Sequence, residues 1–231
     1  MLKAVFMDVD NTILSFDDCV RETMKRGFAR FDLGVYTEEM FSVFERINGE
    51  FWGSIEKGEL SMEELKQRRW NRVFAELGIT FDGVEFERYF REILFDSALL
   101  VKGATEALSY LHGKYIVCAA TNGPGAQQRN RLIRSNTIGF FDHIFISEEI
   151  GASKPSSAFF DACFSRLEKE RGTVLRPGET VIIGDSLRSD IFGGAAYGIK
   201  TCWYNPKKAK LPEGCTVDHV IASLDEIQKL F

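Results

Sequence analysis

The sequence predicts an α/β protein: an open parallel sheet with an α-helical segment inserted after its first strand. Three observations carry that prediction. Short apolar or β-branched runs occur at 2–7, 115–120, 143–147, 180–183, 200–204 and 217–221, each the length of a buried strand. From residue 101 onward these alternate with single helical patterns at 103–112, 125–135, 156–170 and 188–197, the arrangement of parallel strands covered by helices. Between 17 and about 96 apolar residues recur at helical spacing, as in Met40, Val43, Phe44, Ile47 and Phe51, with no strand pattern.

The first strand stands alone until residue 115, so it must find its partners across the helical stretch. A lone strand is not stable by itself, which makes an insertion the natural reading of residues 17–96. Ser61 followed by Glu64 forms a capping box at the start of one inserted helix, and Gly58 and Gly78 punctuate the adjoining turns. The expected organisation is a core of residues 1–16 and 97–231, split by a helical block at 17–96. The 231-residue length agrees, being about one and a half times a typical domain of roughly 150 residues.

Composition excludes several classes. With 45% hydrophobic and 27% charged residues the chain buries an ordinary globular core and is neither disordered nor fibrous. Its 29 basic against 34 acidic residues leave a net charge of −5, which gives no overall attraction to a nucleic acid polymer or an anionic membrane. Five scattered cysteines (Cys19, Cys118, Cys163, Cys202, Cys215) without a Cys-x-x-Cys pair argue against a disulfide framework or structural zinc, and favour the cytosol. Lys3 is followed by only four apolar residues before Asp8, too few for an export signal, and no membrane span is expected.

Chemistry gathers at the carboxyl ends of the strands, where open parallel sheets bind ligands. The first strand ends Asp8-Val9-Asp10-Asn11-Thr12, and strand alternation would turn both carboxylates to one side, where they repel unless a cation intervenes or one keeps its proton. The second ends Thr121-Asn122-Gly123-Pro124 ahead of a helix, offering a hydroxyl and backbone N–H donors to an anion. After the third comes Ser153-Lys154-Pro155, and after the fourth Gly184-Asp185-Ser186, with Asp190 about one helical turn on. Singly these are strand ends, caps and surface charges. Together they supply hard oxygen ligands, phosphoryl-oxygen donors and a carboxylate nucleophile, the set that phosphate-ester chemistry requires.

The order D-x-D-N-T, T-N-G, S-K-P, G-D-S-x-x-x-D resembles the haloacid dehalogenase superfamily of phosphatases, with the helical block where one class of that family inserts its cap domain. The resemblance spans essentially the whole chain and implies a Rossmann-like core. It implies that Asp8 is the nucleophile, forming an aspartyl-phosphate, and that Asp10 is the general acid and base. It also implies that Mg2+ is bound by Asp8, the Asp10 backbone carbonyl and Asp185, with Asp190 supporting them from behind. Thr121, Asn122 and amides near Gly123 would bind the phosphoryl oxygens, and Lys154 would offset the charge between nucleophile and substrate. Dehalogenases of the family lack the second acid, so Asp10 points to phosphoryl transfer. Phosphonate hydrolysis would need a Schiff-base lysine, and nothing marks Lys25, Lys57 or Lys66 as desolvated.

The stretch Asn48-Gly49-Glu50-Phe51-Trp52-Gly53-Ser54-Ile55-Glu56-Lys57-Gly58, followed by Arg69-Trp70, is similar to the cap of bacterial pyrimidine 5′-nucleotidases of this superfamily. That implies a small phosphorylated metabolite, a nucleoside monophosphate, as substrate. Trp52 and Trp70 could stack on a base or fill a helical core. Lys66, Arg68, Arg69 and Arg72 read as a solvated or salt-bridged face, as do Lys207, Lys208 and Lys210 in a later loop. Gly193 and Gly194 read as close helix–sheet packing. Two alternatives stay open: a sugar phosphomutase or sugar-phosphate phosphatase of the same superfamily, and a phospho-accepting receiver-like signalling domain.

Overall fold

The computed structural model describes residues 1–172 and 174–231. In chain order the elements are β1 (Ala4–Met7), α1 (Phe16–Arg30), α2 (Glu38–Glu56), α3 (Met62–Leu77), α4 (Gly83–Asp96) and α5 (Ala104–Leu111). There follow β2 (Ile116–Thr121), α6 (Gly125–Arg134), β3 (His143–Ile146), α7 (Ser147–Ile150), α8 (Ser157–Arg171), β4 (Thr180–Gly184), α9 (Gly193–Tyr197), β5 (Lys200–Tyr204), β6 (His219–Ile221) and α10 (Ile227–Leu230). The chain divides into two compact units, one formed by Met1–Ser15 with Ala98–Phe231 and the other by Phe16–Ser97.

In the first unit six strands lie in the order β3-β2-β1-β4-β5-β6, and every pairing is parallel. This is the Rossmann order, whose reversal point falls between β1 and β4. A receiver-like domain would instead run 2-1-3-4-5, so that alternative is excluded by topology. The strands are continuous apolar runs because helices cover both faces. On one face Val5, Met7, Val117, Ala119, Val181 and Ile183 pack with Leu108 and Leu111 of α5 and Leu132 of α6. On the other, Phe6, Cys118, Ala120 and Ile182 meet Phe159, Phe160, Cys163 and Leu167 of α8. A Cβ on Gly194 would fall 2.5 Å from Ile182 Cγ2, so the Gly193-Gly194 pair serves close packing of α9 on the sheet, as expected. The expected helix at 188–197 differs in form: residues Leu187–Phe192 make a π-helical turn before α9, with Ile191 N donating to Ser186 O.

The second unit is all-helical and is built around aromatic rings. Trp70 is fully buried, its ring 4.4 Å from Phe86 and 4.9 Å from Phe44, and Phe28, Phe74 and Phe90 complete the cluster. The Ser61–Glu64 capping box opens α3, and Gly78 closes it in the left-handed conformation. Arg69, expected on a solvated or salt-bridged face, is salt-bridged but buried rather than on the surface. It is 4% exposed, pairs with Glu87 at 2.8 Å, donates to Asn48 Oδ1 at 2.8 Å, and lies over the Phe90 ring. Its helical position is shared with Trp70 on the inner side of α3, and a guanidinium enters such a core only with a carboxylate to meet it. Among the described residues no helix is long and apolar enough to cross a membrane.

Candidate active site

The sheet brings the four motif segments to one edge. Asp8 follows directly on β1, and its backbone N–H donates to Ile183 O of β4, which fixes its position at the reversal point. The strand ends at Met7, so strand alternation does not govern Asp8 and Asp10. The chain turns instead, with Ile13 N and Leu14 N both donating to Val9 O and Asn11 in the left-handed region at φ 58°.

Lys154 holds the centre. Its Nζ, 1% exposed with its side chain, donates to Asp8 Oδ1 at 2.7 Å, Asp190 Oδ1 at 2.6 Å and Ala120 O at 2.5 Å, so all three ammonium protons have acceptors. Its backbone is clamped by Asn122, whose Nδ2 donates to Lys154 O and whose Oδ1 accepts from Lys154 N. The Asn122 side chain is thereby committed to the lysine loop. Burial alone would lower the ammonium's pKa, but Asp190 and Asp8 outweigh it and hold Lys154 charged, above its usual range. Burial pushes Asp8 up to about 7 against the pull of Lys154, with Asp190 adding to the rise.

Asp190 is fully buried and also accepts from Ser186 N at 3.1 Å. Gly184 makes this possible, since a Cβ there would fall 2.2 Å from Asp190 Oδ2. Asp185 is steadied through its carbonyl, which accepts from Trp203 Nε1 of β5 at 2.9 Å. Asp8, Asp185 and Asp190 each offer an oxygen within 4.8 Å of the others. An all-oxygen set of this kind suits a hard cation such as Mg2+. The Asp10 carboxylate stands outside this trio.

Asp10 is engaged by two residues that the sequence reading did not single out. Arg131 Nη1 reaches its Oδ1 at 2.5 Å, and Gln128 Nε2 reaches its Oδ2 at 2.7 Å. Gln128 Nε2 also donates to Thr121 Oγ1 at 2.7 Å, and that oxygen accepts from Gly123 N at 3.0 Å. The Gly123 amide, expected among the phosphate donors, is thus used within the loop. Gln128 and Arg131 are three apart on α6 and share one of its faces, a spacing present in the sequence but carrying no sign of burial.

A family model for haloacid dehalogenase-like hydrolases matches residues 2–198. The chain belongs to that family. Among relatives of this hydrolase, the HAD-hydrolase YfnB of Bacillus subtilis is 32% identical over 91% of this chain and 88% of its own. Its magnesium-bound crystal structure superposes with a TM-score of 0.88, covering 99% of this chain and 98% of that one. The pyrimidine 5′-nucleotidase YjjG of Escherichia coli is 28% identical over 98% of this chain and 96% of its own. The pyrimidine 5′-nucleotidase PynA of Streptococcus pneumoniae is 31% identical over 88% of this chain and 84% of its own.

Proposed function

We propose that this hydrolase is a Mg2+-dependent phosphomonoesterase that works through an aspartyl-phosphate on a small nucleotide, a nucleoside monophosphate. The observation that carries the reading is the Lys154 ammonium, held at 2.7 Å from Asp8 beside two further carboxylates. A nucleophilic carboxylate and a phosphate dianion repel each other, and a buried fixed cation at the nucleophile offsets that repulsion where the transition state develops charge. The magnesium in the YfnB structure and the oxygen-only donor set favour Mg2+ at Asp8, Asp185 and the Asp10 carbonyl, with Asp190 orienting Lys154 and the loop behind them. When bound, Mg2+ supplies positive charge that keeps Asp8 ionised and neutralises phosphoryl oxygens.

The remaining chemistry falls to the chain's own residues. An oxygen of Asp8 attacks phosphorus, forming the Asp8 O–P bond as the bond from phosphorus to the leaving alkoxide breaks. Asp10 gives that alkoxide a proton and leaves as carboxylate. Asp10 then takes a proton from the water that attacks the phosphoaspartate, releasing phosphate and restoring Asp8. Thr121 Oγ1 already accepts two hydrogen bonds, so its own proton is directed outward to a phosphoryl oxygen. The backbone at Asn122 supplies further donors, and its side chain keeps Lys154 in place.

The nucleotide reading rests on the two nucleotidases among the relatives and on the stretch Asn48–Gly58 with Arg69-Trp70. We assign substrate selection to the helical unit and the cytosol as the compartment, in keeping with five free cysteines. The test is phosphate release from a panel of pyrimidine and purine nucleoside monophosphates and sugar phosphates, with and without EDTA, for wild type and Asp8→Asn. Nucleotide hydrolysis that EDTA and Asp8→Asn both abolish is the expected result. Full activity in Asp8→Asn, or indifference to EDTA, refutes the mechanism, and transfer of phosphate to a sugar hydroxyl refutes hydrolysis.

A further inference from the structure

We propose that Gln128 and Arg131 are positioning residues that lock the proton-transferring carboxylate and the phosphate-binding hydroxyl into one rigid network; this rests on the phosphomonoesterase reading above. The two amide protons of Gln128 Nε2 are both used, one on Asp10 Oδ2 at 2.7 Å and one on Thr121 Oγ1 at 2.7 Å. Its Oε1 accepts from Arg131 Nη1 at 3.0 Å, which fixes the amide the right way round. The same Nη1 donates to Asp10 Oδ1 at 2.5 Å, closing the ring. Both oxygens of Asp10 are therefore held by different residues, and a carboxylate so held cannot rotate about its terminal torsion without losing a charge-assisted bond.

Three features set this network apart from ordinary packing. Gln128 and Arg131 are both fully buried, and the guanidinium Nε and Nη2 have no hydrogen-bond partner among the described residues. A side chain so placed for stability alone would leave fewer buried donors unmet. The Asp10 side chain, by contrast, is 31% exposed, so its outer side remains open to a reacting group. Finally, Gly123 admits the amide: a Cβ there would lie 2.5 Å from Gln128 Nε2. The third residue of Thr121-Asn122-Gly123 thus has a steric reason tied to Gln128 rather than to the turn itself.

The consequence concerns the leaving group. A misplaced acid harms expulsion of a basic alkoxide far more than expulsion of a nitrophenolate, which departs without a proton. Arg131 touches Asp10 and Gln128, whereas Gln128 touches Thr121 as well, so the two residues leave different signatures.

The experiment measures kcat/KM along a series of aryl phosphates of rising leaving-group pKa, ending at a nucleoside 5′-monophosphate, with melting temperatures alongside. Arg131→Met is expected to lose about a hundredfold on the nucleotide and less than about threefold on p-nitrophenyl phosphate, within the range general acids contribute. Arg131→Lys, which keeps a cation beside Asp10, is expected to recover part of the nucleotide rate. Gln128→Glu keeps the shape but removes both donors; it should steepen the leaving-group dependence and add a common loss on every substrate through Thr121. If Arg131→Met fails to fold, Gln128→Glu decides the matter alone. Parallel losses across the series in an active, folded background overturn the positioning role while leaving the phosphomonoesterase intact. A wild type inert toward the whole series overturns both.

Discussion

Lys154 Nζ and Asp8 Oδ1 lie 2.7 Å apart although 146 residues separate them in the chain. Asp190 holds the same ammonium at 2.6 Å, so one buried cation keeps two buried carboxylates from repelling each other. Removing it as Lys154→Met leaves both charges unpaired, which destabilises the fold, and deprives the transition state of a fixed cation. We expect kcat to fall by about 10²- to 10³-fold, the scale of losing one preorganised electrostatic partner. Mg2+ should raise the variant's Tm more than the wild type's, since a divalent ion restores countercharge to the carboxylates. A variant with wild-type kcat would show that the ammonium is only structural.

Gly184 and Asp190 offer a steric test of the same centre. A methyl group at position 184 would sit 2.2 Å from Asp190 Oδ2 and 2.4 Å from its Cγ, with no room for both. Gly184→Ala should therefore displace Asp190 and, with it, the loop that presents Asp185. The expected effect is a tenfold to hundredfold rise in the Mg2+ concentration giving half-maximal activity, the scale seen when groups supporting metal ligands are lost. Circular dichroism should show the sheet retained. An unchanged Mg2+ titration would mean that Asp190 is not coupled to the cation.

The strands and the four polar strand ends were legible because both rest on local pattern: apolar runs of strand length, and reactive side chains directly after them. Asp8, Asp185, Asp190 and Lys154 do meet. Gln128, Arg131 and Arg69 were not legible, for one physical reason. A charged or amide side chain is read as solvated, and only a partner brought from elsewhere makes its burial tolerable. Arg131 meets Asp10 across 121 residues, and Arg69 meets Glu87 across a helix turn-around, neither of which a spacing rule foresees. β1 stops at Met7, so the turn that follows rather than strand alternation places Asp8 and Asp10, and their charges still oppose, the Asp10 carboxylate adding to the rise of the Asp8 pKa. The π-helical turn at Leu187–Phe192 was hidden for a similar reason, since its backbone bonds close five residues apart rather than four, as Ile191 N does on Ser186 O.

Within the helical unit, the Arg69–Glu87 pair should behave as a buried ion pair. Arg69→Met leaves Glu87 buried without its partner, which costs about 3–5 kcal/mol. Arg69→Met with Glu87→Leu should recover most of that loss, because an apolar pair of similar volume avoids the desolvation of two charges. The pH dependence has a definite sign. Burial raises the pKa of Glu87 above its ordinary value of 4.5, and Arg69 opposes the rise, so removing Arg69 raises it further. A raised folded-state value means that the stability linked to this group is present below the unfolded pKa and lost as pH rises through the folded one. The single variant should thus be least impaired near pH 4 and most impaired near pH 7, as denaturant titrations at the two pH values would reveal. Equal impairment at both would show that Glu87 stays ionised throughout.

The two tryptophans that could stack on a base or fill a helical core occupy different environments, and that difference separates packing from recognition. Trp70 is fully buried among Phe44, Phe74, Phe86 and Phe90, so Trp70→Ala opens a cavity and should cost about 3–5 kcal/mol of stability. Its kinetic effect should be uniform across substrates, because a weakened core does not distinguish a base from a phenyl ring. Trp52 is only half-buried at the edge of the same cluster, leaving part of its indole free for a ligand. Stacking of a base on an aromatic ring is worth about 1–3 kcal/mol. Trp52→Ala should therefore raise KM for nucleoside monophosphates by about fivefold to a hundredfold, with kcat and the KM for p-nitrophenyl phosphate nearly unchanged. If both substrates lose equally, Trp52 is a packing residue.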